Sequence, residues 1–196
     1  MLVRFADLID TLLERIGRAA AWLTLLVTLT MAGTVAARYL FDSGSQLARD
    51  AVVWMHAAAL MLGLGYTLVH DEHVRVDLLS RHWSVRRRAA VELGGTLLLL
   101  APFSLLLLFG SLGYVGASWR VFESSRETGG LPGVFLMKTL IPLAAALLLL
   151  AGLARAARAL AVLRGELGSL SPPPGAHGAS EAPAHDAAAR IDANRT

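Results

Sequence analysis

The chain has 196 residues, 55% hydrophobic and 17% charged, with no cysteine and a net charge of +3. A soluble domain carries about 25% charged residues, so this balance, with a mean hydropathy of +0.56, points to a membrane protein. The composition excludes any disulfide, thiolate metal site or iron–sulfur cluster held by this chain, and it offers no basic, aromatic-interleaved domain that would bind nucleic acid.

Residues 1–18 do not read as a cleavable signal, because Asp7, Asp10 and Glu14 interrupt them and no small-residue cleavage site follows. Leu2, Phe5, Leu8, Ile9, Leu12, Leu13 and Ile16 recur with helical period. They predict an amphipathic helix lying in the membrane interface and running into the first span. Four apolar blocks follow, each close to the ~20 residues needed to cross a ~30 Å hydrocarbon core. They place spans at about 19–40, 47–69, 88–119 and 132–164, within a transmembrane domain over 19–168. Lys138 would snorkel from the fourth span to the interface. Pro102 and Pro142 each remove a backbone donor and should kink the third and fourth spans. Between spans two and three, Asp77 is placed to cap a short interfacial helix over 78–83. The Ser-Pro-Pro-Pro-Gly run at 171–175 stops the last helix. The tail over 169–196 lacks the large apolar side chains that would offset its ordering entropy, and it reads as disordered.

Orientation follows from the basic residues beside the spans. Arg4, Arg15 and Arg18, the middle loop with Arg75, Arg81, Arg86, Arg87 and Arg88, and the end with Arg155, Arg158 and Arg164 outweigh the other two loops. Both termini and the loop 71–88 are therefore expected in the cytoplasm, with the loops 38–50 and 120–138 outside. The predicted class is an all-α integral membrane protein of four transmembrane helices. Tryptophans and tyrosines near the span ends anchor its depth. Gly63 and Gly65 in span two, Gly110, Gly113 and Gly116 in span three, and Gly152 in span four mark close helix approach. That approach is expected within the bundle, with some faces left for another subunit.

His56 is the only ionisable residue well inside a span, which makes it a functional candidate by default. A haem held by two histidines would need a partner across the bundle, and spans one, three and four contain none. A neutral His56 hydrogen-bonded to a neighbouring helix is the expectation. No phosphate loop, metal-ligand cluster or nucleophile–base pair appears, so an enzyme is not expected and no cofactor is implied. The polar stretch from His70 to Asp77, with His73 and Arg75 inside it, is either a solvated loop of weak exposed ion pairs or a turn that docks on lipid or another subunit. A quinone- or haem-binding redox anchor and an independent small channel are the competing functional readings. Both suffer from the lack of polar groups along the spans.

Several local patterns occur together in order. They are Arg38-Tyr39-Leu40-Phe41 closing span one; Ser45-Gln46-Leu47-Ala48-Arg49 and Trp54 opening span two; Gly63 and the stretch His73-Val74-Arg75-Val76-Asp77; Ser118-Trp119, Glu123 and Ser125 after span three; and Leu131-Pro132, Lys138 and Ile141-Pro142 leading into span four. In this order the chain resembles the small membrane subunit of tripartite ATP-independent periplasmic (TRAP) transporters. The glycine-rich run 129–133 is most similar to the mannitol/chloroaromatic-type branch. The family often has an acidic residue where this chain has Gln46, so the ion pair implied there is missing or has moved to Asp50. The resemblance implies a scaffold in the bacterial inner membrane. A large permease subunit would carry the solute and ion sites, and a periplasmic solute-binding protein would deliver an organic acid. Arg49, Asp50, Arg120 and Glu123 would help receive that protein. Arg38, Trp54, His56, His73, Arg75, Asp77 and Trp119 are the further candidates for structural or subunit contacts.

Overall fold

The structure, a computed structural model, describes residues 2–70 and 83–166. Within them the protein is all-helical, with four rods long and apolar enough to cross a membrane: Leu2–Phe41, Gln46–Val69, Val85–Arg120 and Val134–Leu163. The candidates His73, Arg75 and Asp77, nearly all of the predicted interfacial helix, and the tail over 169–196 lie outside the described residues.

Helix α1, Leu2–Phe41, is unbroken. Forty residues at 1.5 Å each give a rod about 60 Å long, roughly twice the hydrocarbon thickness. The amphipathic segment expected to run into the first span forms one helix with it. Ala6, Asp10, Leu13, Gly17 and Ala20 are buried at alternating steps of four and three, with Ile9 beside them, which puts them on one helix face. The apolar stripe predicted for this segment is split. Ile9 and Leu13 enter the core, whereas Phe5, Leu8 and Leu12 remain exposed on the outside.

Helix α2 spans Gln46–Val69, and the Ser45 hydroxyl caps it by accepting from the Ala48 N–H. Helix α3, Val85–Gly95, is capped in the same way by Ser84. It passes through a π-helical segment, Thr96–Leu100, into α4, Ala101–Arg120. The cause is Pro102. A proline has no N–H for the carbonyl four residues back, so the ladder widens just before it and the Ala101 N–H reaches the Thr96 carbonyl, five residues back. The sequence marked this proline as a break, and the break takes the form of one wide turn inside a continuous rod.

Helix α5, Val134–Leu163, is central and touches each of the other rods. Gly133, with φ at +101°, sets its start, in a region of backbone space that disfavours any residue with a Cβ. Ala144, Ala145, Ala151, Ala154, Ala159 and Ala161 are buried along it, and side chains this small let backbones approach closely. Gly17 lies so near Tyr66 that a Cβ there would fall 2.4 Å from the ring. Gly152 admits Leu100, and Gly65 admits Leu13, in the same manner. Gly63, Gly110, Gly113 and Gly116 behave differently: a Cβ at any of them meets nothing within 4 Å. The expectation that the small residues pack inside the bundle therefore holds for Gly65 and Gly152 and fails for those four.

Asp7 near the start of α1 meets Arg158 near the end of α5, so the start of α1 and the end of α5 lie at one end of the bundle, the terminal end. The turn at 42–45 and the loop at 121–133 lie at the other, the loop end.

Candidate functional site

The polar chemistry of the bundle is gathered at its two ends. At the loop end, Asp50 sits in the first turns of α2 and its carboxylate accepts the Leu131 N–H at 3.0 Å and the Gln46 amide at 2.9 Å. Gln46 also accepts from Arg49. The amide thus bridges a cation and an anion at the position where an acidic residue was implied, and Asp50 uses its charge to shape the α4–α5 loop. Glu123, in that loop, accepts from the Ser118 hydroxyl at 2.7 Å and from the Lys138 ammonium. These donors, Lys138 first, hold its carboxyl below the ordinary value of 4.5, because each favours the charged form. Lys138 also stands 4.1 Å over the Tyr114 ring. The Trp119 indole donates to Thr139 at 2.9 Å and packs edge-on to Phe135. The loop end is therefore a clasp that joins α2, α4, α5 and the loop between the last two.

At the terminal end, Arg158 of α5 pairs with Asp7 at 2.9 Å and with Asp10, both on α1. One turn away, Arg155 donates to Glu92 of α3 at 2.6 Å and to the Leu68 carbonyl of α2 at 2.8 Å. The last carbonyls of a helix have no partner in their own ladder and carry its negative dipole end, so a guanidinium there satisfies both needs. Two arginines one helical turn apart thus tie all four rods together. The sequence reading treated Arg155 and Arg158 only as orientation signals and Asp10 as an interfacial charge. Nothing local indicates that residues so far apart in the chain will pair.

The remaining candidates separate into groups. Arg38 and Arg120 are exposed at the loop end, and Arg49 is exposed there beside Gln46. Trp54 is half-buried with its ring next to Gly133. Asp50, Glu123 and Trp119 belong to the clasp. His56, expected to hydrogen-bond to a neighbouring helix, is exposed on the outer face of α2 in this chain. His70 stacks on Tyr66 at 4.0 Å and stands fourteen residues, roughly 21 Å, further along the same helix.

The family described as "Tripartite ATP-independent periplasmic transporters, DctQ component" matches residues 27–162, more than half of the chain. The chain belongs to this family. No curated protein and no solved structure matches it. The match to the DctQ component runs from the middle of α1 almost to the end of α5. It includes the whole loop-end clasp and both Arg155 and Arg158. The protein is accordingly a small-subunit component of a TRAP transporter, carried on four apolar rods.

Proposed function

We propose that this chain is the fixed supporting subunit of its transporter. It packs beside a large subunit that holds the solute and ion sites. It lies in the bacterial inner membrane with the terminal end in the cytoplasm. The complex takes up an organic acid delivered by a periplasmic binding protein, driven by an ion gradient, and this chain performs no chemistry of its own. The glycine-rich loop leads us to place it in the mannitol/chloroaromatic-type branch.

One observation carries this reading. The ion pairs between helices among the described residues lie at the two ends, and the rods between are continuous and, His56 apart, apolar. Transport sites are commonly built from broken helices with polar groups near the midplane. The terminal end bears Arg4, Arg15, Arg18, Arg86, Arg87, Arg88, Arg155, Arg158 and Arg164, which favours the cytoplasmic side. Because Asp50 and Glu123 are occupied within the clasp, Arg120 and Arg126, exposed at the loop end, are the better contacts for the binding protein.

Uptake into proteoliposomes tests the proposal. Solute should accumulate only when large subunit, this chain, binding protein and an ion gradient are all present. Accumulation by this chain alone would overturn it.

A further inference from the structure

His56 stands ten residues past the start of α2 and thirteen before its end, so it is roughly 15 Å and 20 Å from the two ends of the helix. An imidazole is too short to reach water from that depth. Arg49, Val53, His56, Leu60 and Leu64 are all exposed, and their spacing of four, three, four and four puts them on one face. Gly63, seven residues after His56, lies on the edge of the same face, and a Cβ there would meet nothing. The opposite face of α2 is covered by α1 and α5. An ionisable side chain left in hydrocarbon is costly, and such residues almost always face protein or a watery cavity. This stripe therefore reads as a face that another polypeptide covers.

We infer that the Arg49–Leu64 stripe of α2 is the docking face for the large membrane subunit, which presents a hydrogen-bonding group to His56 at mid-depth. The inference rests on the supporting-subunit reading above. Imidazole can donate from one nitrogen and accept at the other, so a hydroxyl, amide or carboxyl group suits it. Gly63 lets the partner helix come close. Arg49, two turns nearer the loop end, calls for an acidic or carbonyl group opposite. A second copy of this chain fits poorly. Two copies related by a twofold axis along this stripe would set Arg49 against Arg49, and like charges at an interface oppose association.

A photo-crosslinking residue is placed at Leu60 on the stripe and, as a control, at Leu106 on the outer face of α4, which is 73% exposed. Each variant is co-expressed with the large subunit. The expected result is an adduct with the large subunit from position 60 and none from position 106. His56→Leu should remove most of the co-purified large subunit while leaving the thermal unfolding of the lone chain unchanged, and His56→Gln should restore it. An adduct from 106 but not 60, an adduct between two copies of this chain, or no adduct from 60 while the pair co-purifies would each overturn the inference. Failure of the unmodified chain to co-purify at all would instead overturn the supporting-subunit reading on which it rests.

Discussion

The two ends of the bundle solve the same problem with different means. At the terminal end, Arg158 and Asp10 are both nearly buried, with side chains 11% and 3% exposed, and Arg155 with Glu92 is almost as enclosed. With the hydrogen bond from Arg155 to the Leu68 carbonyl, these pairs reach all four rods. At the loop end, Glu123 is 26% exposed, and the clasp it shares with Lys138 leaves α1 out. There α1 presents Tyr39, Leu40 and Phe41 to the outside. The difference teaches which end holds the bundle together and which end holds a surface in shape. A buried pair between distant helices penalises any separation of the rods, whereas a pair with one member in a loop mainly fixes that loop.

That contrast breaks most sharply at Arg158. Arg158→Ala leaves Asp10 buried without its counter-charge, and losing one partner of a buried pair costs about 3–5 kcal/mol. Thermal unfolding in detergent should show the largest drop of any variant considered. A drop no larger than that of Lys138→Met would erase the distinction between the ends. Gly17→Ala comes next, because it drives a methyl into the Tyr66 ring, and overpacking of this kind costs about 1–3 kcal/mol. Gly113→Ala is its counterpart in open space and should be neutral or gain up to about 1 kcal/mol from helix propensity. Lys138→Met should lower the unfolding temperature less than Arg158→Ala does. Hydrogen exchange should rise over 121–133 and stay unchanged over 6–20, since α1 takes no part in that clasp.

The smallest expected effect is in pH. The carboxyl of Glu123 is depressed in the folded state, so the stability it adds is present above its ordinary value of 4.5. That stability is lost as pH falls through the lower folded value. Wild type should therefore exceed Glu123→Gln in unfolding temperature at neutral pH, and the two should converge in acid. A gap that widens in acid would reverse the sign assigned here.

Four apolar blocks and the position of Pro102 were legible in the sequence, because each is a local property of the chain. The packing of the start of α1 against α5 was not. Asp7, Asp10, Glu14 and Arg15 resemble the polar face of a surface helix until Arg158 is seen to occupy that face. The outward direction of His56 was equally hidden. In a span that is apolar all round, lipid-facing and protein-facing positions have the same composition, so periodicity gives no contrast. The glycines show the same ambiguity: Gly65 and Gly63 look alike in sequence, and only the approach of Leu13 distinguishes them. At the loop end, the identities of Asp50 and Glu123 were found but their task was not, since a carboxylate that shapes a loop and one that meets a partner look the same along the chain.

The central claim is that this bundle supports a second membrane subunit, and mass determination of the purified assembly addresses it most directly. Co-expressed with its large subunit and extracted in mild detergent, the chain should elute as a one-to-one pair whose mass is the sum of the two. A stable lone chain beside an unpaired large subunit, under conditions where both are folded, would contradict the account.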